Sequence, residues 1–396
     1  MKTKITIGMV FVSVVTVAII QTPGLVAAQV LTPIEQLGKS IFFDDNLSIH
    51  YNQSCASCHA PDAGWTGPDG VINNSRAVYE GSIAGRFGNR KPPSSAYATL
   101  SPIFNQDQKG MFVGGNFWDG RATGEKLGNP AADQAQGPFL NSVEQALPDA
   151  DEVVSRVCGS SYGNLFRDVW GLDACKDVNQ AFDQIALSIA AFENSFEVNA
   201  FNSKFDLSQK GQAKLSMKER RGRFLFNGKG KCSRCHPGNG KQPLFTDFTF
   251  DNLGVPKNPE NPVYSVEPDF VDLGLGGFLD DDGYPEEVWE DEIGKHKIPT
   301  LRNVDRRPDE GFVKAYAHNG YFKTLEGIVH FYNTRDVKST CFGDFTEAQA
   351  LAANCWPSPE VDYNVNTDEL GNLRLTSEEE AAIVAFLKTL SDGFQP

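Results

Sequence analysis

Cys55-Ala56-Ser57-Cys58-His59 recurs 177 residues later as Cys232-Ser233-Arg234-Cys235-His236. Cys-x-x-Cys-His is the attachment signature of c-type haem. Two thiols add across the two vinyl groups of the macrocycle, and the adjoining histidine reaches the iron from one face. Two other readings compete. A single Cys-x-x-Cys can be a redox dithiol, and two pairs together offer the four thiolates of a zinc site. Neither requires a histidine directly after the second cysteine, and both copies have one. Two covalent c-type haems are therefore expected. Cys55, Cys58, Cys232 and Cys235 would attach them, and His59 and His236 would ligate iron.

Working outward, Leu37-Gly38-Lys39-Ser40-Ile41-Phe42-Phe43 precedes the first motif and Arg221-Gly222-Arg223-Phe224-Leu225-Phe226 the second. This weak internal repeat predicts a short helix running up to each haem loop. Each helix has a capping box, Thr32 with Pro33 and Glu35, and Ser216 with Glu219. A third box, Thr376 with Glu379, opens a predicted helix over 377–390, with Ile383, Val384, Phe386, Leu387 and Leu390 on its apolar side. Residues 178–196 carry Phe182, Ile185, Ile189 and Phe192 at helical spacing and read as plain core. Residues 199–212 read as a linker. Loops rich in Gly, Pro, Asn and Asp fill much of the rest, 251–282 among them, and strand signals are sparse. A length of 396 residues suits two domains. The expected fold is mainly α: two cytochrome c-like haem domains over 29–205 and 206–396, with long irregular loops and little β.

The N-terminus reads as a secretory signal over 1–28. Lys2 and Lys4 precede an apolar run from Ile5 to Ile20, and Val26-Ala27-Ala28 supplies the small residues of a cleavage site. A membrane anchor is the competing reading. The early small-residue site, and the lack of a basic flank after the run, favour cleavage. Nothing later in the chain is a candidate span. The mature protein is thus expected in the periplasm, where c-type haem is attached and disulfides persist. Four cysteines remain: Cys158, Cys175, Cys341 and Cys355. Spacings of 17 and 14 suggest two local loops, and three pairings are open. Losing Lys2 and Lys4 takes the formal charge from −15 to −17, which argues against nucleic acid; a partner docking electrostatically would present basic groups, and a generally acidic soluble surface is the competing reading.

Further motifs extend the pattern. Phe117-Trp118-Asp119-Gly120-Arg121-Ala122 is followed by Gln134-Ala135-Gln136-Gly137-Pro138. Pro299-Thr300-Leu301-Arg302-Asn303, His318-Asn319-Gly320 and Phe331-Tyr332-Asn333 come later. In this order, around two haem motifs, the whole mature chain resembles the dihaem cytochrome c peroxidase family, including its MauG-type branch. The resemblance implies hydrogen peroxide as a substrate, reduced at an N-terminal haem ligated by His59 and open on its other face. An open position is what peroxide binding needs. It implies Glu144 as the acid–base group, with Gln134 and Pro138 lining the same pocket. Trp118 matches a tryptophan between the haems that relays electrons. For the second haem, the ligand position fourteen residues after the histidine of His-x-Gly falls on Tyr332. The only methionines are Met1, Met9, Met111 and Met217. The other partner would be a redox protein: a small cytochrome or other donor, or a protein whose side chain is oxidised. A dihaem electron carrier without peroxide chemistry is the alternative.

Three departures matter. The loop between the first haem motif and Phe117 lacks the histidine of the methionine-ligated members, so the first haem is expected to be open without reductive activation. The residue two before the second motif is Gly230, where members that finish tryptophan-derived cofactors carry a tryptophan. The resemblance also leaves room for one calcium ion. The family's ligand is an asparagine after an arginine, but Arg90 is followed by Lys91 and preceded by Asn89. Asn89, with backbone carbonyls near Val313 and Ala315, is the remaining candidate donor set.

Overall fold

The weak repeat ahead of each haem motif is a repeat of helix packing. In the computed structural model, which describes residues 29–395, a helix runs over Pro33–Phe42 and its counterpart over Met217–Asn227. The signal-peptide reading of 1–28 lies outside the described residues. Both capping boxes form: Glu35 Oε2 accepts from Thr32 N at 2.6 Å, and Glu219 Oε2 from Ser216 N at 2.6 Å. The first helix crosses Val178–Glu193 and the second crosses Ser377–Leu387. Each crossing has a glycine at its centre. A Cβ on Gly38 would lie 1.8 Å from Ser188 O, and a Cβ on Gly222 would lie 1.8 Å from Ala382 O. Phe42 meets Phe192 at 5.5 Å between ring centroids, and Phe226 meets Phe386 at 5.2 Å. Glycine is thus required twice by close approach of a neighbouring backbone.

From Leu31 onward the chain packs as one compact unit, and within it two apolar cores are distinct. One draws on Leu37 through Val198 and the other on Phe205 through Leu390. In the first, Pro130–Leu140 packs on Val178–Glu193; in the second, Leu325–Thr334 packs on Ser377–Leu387. The fold is mainly α, as expected. Among the described residues the ladders are three two-stranded ribbons, one pairing Phe250–Asp251 with His296–Lys297. The four remaining cysteines pair as Cys158–Cys175 and Cys341–Cys355.

One expectation needs correction, and one boundary moves. The 199–212 stretch is not a bare linker. It holds a helix over Lys204–Gln209, capped by Ser203, because Asp206 is fixed by a bidentate ion pair from buried Arg302 at 2.9 Å on both oxygens. The 178–196 helix ends at Glu193; Phe182, Ile185, Ile189 and Phe192 lie in the core as expected, with the polar Gln184 and Glu193 buried among them.

The crossing argument has a direct test. Gly222→Ala forces the helix pair apart, an overpacking cost of about 1–3 kcal/mol. The Tm of the haem-loaded protein should fall by about 1–4 °C, since an unfolding entropy of about 2.1 cal/mol/K per residue gives roughly 1.2 °C per kcal/mol for a chain of this size. Gly159→Ala, where an added Cβ meets nothing within 4 Å, should not lower it. Equal Tm values for the two variants would refute the packing account.

Candidate functional site

Each Cys-x-x-Cys-His segment folds into a single 3-10 turn, over Cys55–Ser57 and over Cys232–Arg234. The turn is closed by the histidine amide: His59 N donates to Cys55 O at 3.0 Å, and His236 N to Cys232 O at 2.9 Å. Both thiols of a pair and the imidazole therefore face one way. Beyond each turn the chain curls back so that a carbonyl meets the imidazole. His59 Nδ1 lies 3.2 Å from Trp65 O, and His236 Nδ1 lies 2.7 Å from Phe245 O. Nδ1 carries the proton in each, leaving the Nε2 lone pair free to ligate. Trp65 and Phe245 both adopt left-handed φ, 62° and 53°. Such backbone is costly for aromatic residues and tends to occur where function requires it.

Two cavities open over these turns. The first is lined by Cys55, Cys58 and His59, and also by Gln134, Pro138, Glu144 and Trp118. The second is lined by Cys232, Cys235, His236, Tyr332 and, again, Trp118. The residues expected to attach, ligate or flank the two haems thus line two cavities. The four cysteines are free thiols, and the two pairs do not share a cavity. One zinc bound by all four is excluded. Burial pushes the Cys58 and Cys232 thiols up to about 12, the opposite of an activated dithiol. Paired thiols, a ligating histidine and an adjoining cavity fit a c-type haem at each site.

Trp118 is buried, and its indole Nε1 donates to Lys91 O at 2.8 Å. Glu144 lies in the turn after Pro130–Leu140, half-buried, with Oε1 accepting from Asn141 Nδ2 at 2.9 Å. Burial raises its carboxyl above the ordinary range, against the pull of Arg121. Arg121 itself stacks over Phe117, 4.0 Å from the ring centroid, and pairs with Asp119. Tyr332 sits on the Leu325–Thr334 helix, and its hydroxyl has no hydrogen-bond partner among the described residues. Burial raises its pKa. His330 turns away to Glu380, 3.0 Å from Nδ1. The counterpart helix Pro130–Leu140 gives the first cavity Pro138 and Gln134 and carries no tyrosine or methionine.

Two features escaped the sequence reading. Glu193 lines the first cavity with one carboxyl oxygen unpartnered, and burial pushes it up to about 8. Its signal was a lone acid on an apolar helix. The second is another repeat. Residues 116–122 and 316–322 each close a one-bridge hairpin, Asn116 to Ala122 and Tyr316 to Phe322. Each has left-handed residues at Phe117 and Gly120, or at Ala317 and Gly320. Trp118 and His318 thereby occupy equivalent places. His318 stacks on His296, with centroids 3.5 Å apart.

Comparison with known proteins agrees with this geometry. Residues 33–214 match the family model described as di-haem cytochrome c peroxidase. The chain is 34% identical to the methylamine utilization protein MauG of Paracoccus denitrificans over 364 residues, 90% of this chain and 88% of that protein. It is 30% identical to cytochrome c551 peroxidase of Nitrosomonas europaea, over 74% of this chain and 71% of that one. Among solved structures, the diheme peroxidase BthA of Burkholderia thailandensis superposes with a TM-score of 0.76 at 28% identity, covering 91% of this chain and 86% of that one. With two haem-type turns, two cavities and relatives of this length on both sides of the fold, the chain belongs to the di-haem cytochrome c peroxidase family.

Proposed function

We propose that this is a periplasmic enzyme that reduces hydrogen peroxide at the first cavity and draws the electrons through the second, from a protein donor or an oxidised protein side chain. The observation that carries the reading is the asymmetry of the two sites. The cavity of His236 is lined by Tyr332, whose hydroxyl has no partner among the described residues; the cavity of His59 is lined instead by Pro138 and Gln134 of the counterpart helix, with Glu144 in the turn beyond it. Two haems, attached through Cys55 and Cys58 and through Cys232 and Cys235, would occupy residues 29–205 and 206–396. A haem held by Cys55, Cys58 and His59 would supply the redox chemistry that peroxide reduction needs. The rest is the work of this chain's residues.

His59 holds its site from one side, its Nδ1 fixed by Trp65 O. Glu144 takes a proton from one peroxide oxygen at its carboxylate and returns it to the other, as a positioned acid–base group does. Its raised pKa suits both directions of transfer. Asn141 Nδ2 holds the carboxylate in place, and Gln134 and Pro138 restrict the space beside it. Trp118 lines both cavities and is pinned through Nε1, so its indole has the position of an electron relay. Tyr332 would help hold the haem of the second site, supplying as a phenolate a hard anionic donor that favours the oxidised metal. The signal sequence of 1–28 accounts for the periplasmic location.

Three experiments test this reading. Purified mature protein should carry two covalent haems per chain; alanine at Cys55 and Cys58 should remove one, and alanine at Cys232 and Cys235 the other. Protein holding zinc and no haem would end the account. Tyr332→Phe should change the low-spin ferric spectrum and raise that haem's reduction potential; an unchanged spectrum and potential would make Tyr332 a packing residue. Glu144→Gln should slow the reaction with peroxide by about 10²–10⁴-fold with both haems retained. Trp118→Phe should leave peroxide binding intact and uncouple the two haems. Stopped-flow spectra separate the two defects, and a wild-type rate for Glu144→Gln would remove it from the proton path.

A further inference from the structure

Two lysines are buried in the region between the cavities, and neither meets a carboxylate. Lys314 Nζ donates to three backbone carbonyls, Ala63 O at 2.8 Å, Asn303 O at 2.7 Å and Arg306 O at 3.0 Å. Lys91 Nζ donates to Pro92 O at 2.9 Å and Thr66 Oγ1 at 3.1 Å, and lies 6.0 Å from the Trp118 ring centroid. Lys91 lines both cavities and Lys314 the second. Burial pulls both toward the neutral amine, and the Lys91 charge pulls Lys314 further. The geometry at Lys314 outweighs that pull. Three acceptors converge on one nitrogen, and only the ammonium has three N–H groups to give them. Lys314 is a caged cation, held by carbonyl oxygens much as a protein holds a metal ion.

A calcium ion needs six to eight oxygen donors, and those that the family resemblance points to do not fit one. Lys91 stands where the asparagine oxygen is wanted. Val313 O accepts from Asn73 Nδ2 at 3.1 Å, and Asn89 O accepts from Asn261 Nδ2 at 2.7 Å. A divalent ion added here would meet two ammoniums. We propose that Lys91 and Lys314 form a built-in cationic device between the two haem sites that takes the place of calcium. The holoprotein then carries no calcium there, and the coupling of its haems is indifferent to chelators. The role toward the haems rests on the two-haem reading above.

The test uses the intact holoprotein. Elemental analysis should give iron without stoichiometric calcium. Dialysis against EGTA, then calcium addition, should leave the ferric electron paramagnetic resonance spectrum unchanged. Lys91→Met should lower the midpoint potential of both haems, since a nearby positive charge favours the reduced iron, and Lys91→Arg should restore it. One calcium per chain, a spectrum altered by EGTA and recovered with calcium, or unchanged potentials in Lys91→Met would each overturn the proposal. The calcium count decides it whatever the iron count, which bears on the two-haem reading alone.

Discussion

Two helix crossings without a Cβ between them set the frame of this molecule. At Gly38 over Ser188 and at Gly222 over Ala382, one helix backbone rests against the other. That contact fixes the helix leading into each Cys-x-x-Cys-His turn, and so fixes where two thiols and an imidazole can point. It also brings Phe42 to Phe192 and Phe226 to Phe386, so that Phe42 lines the first cavity and Phe226 the second. Much of each interior is left for a large flat group to fill. Helices this short are marginal alone and depend on such packing.

The same frame, used twice, gives two unequal sites. Each histidine is oriented by the carbonyl of an aromatic residue in left-handed backbone, Trp65 or Phe245. The difference enters from the helix that packs on the other side. At the second site it brings Tyr332; at the first it brings Pro138 and Gln134, with Glu144 beyond. One repeated architecture thus supplies two sites with different linings, and the proposed function reads one as closed and the other as open. Trp118 belongs to the wall of both, and Lys91 Nζ lies 6.0 Å from its ring centroid.

Much of this was legible in the residues. The Cys-x-x-Cys-His pairs and the three capping boxes act locally, and each has a physical signature in the sequence. Both disulfides follow the local loops that their spacing suggested, although spacing alone could not choose among three pairings. What stayed hidden depends on distant contacts. The Lys204–Gln209 helix is fixed by Arg302, about a hundred residues away in sequence. The kinship of 116–122 with 316–322 is carried by backbone angles, while Trp118 and His318 differ in chemistry. Glu193 looks like a stray acid on an apolar helix until the cavity beside it is seen. Lys314 gives no sequence signal, because its three partners are carbonyls.

The central claim is that one haem iron is open and the other is closed by the chain. The most direct measurement is the electron paramagnetic resonance spectrum of the resting ferric wild-type protein. The account predicts one high-spin and one low-spin signal in equal amounts, with peroxide perturbing the high-spin signal first. Two low-spin signals, neither responding to peroxide, would contradict it and leave a di-haem electron carrier.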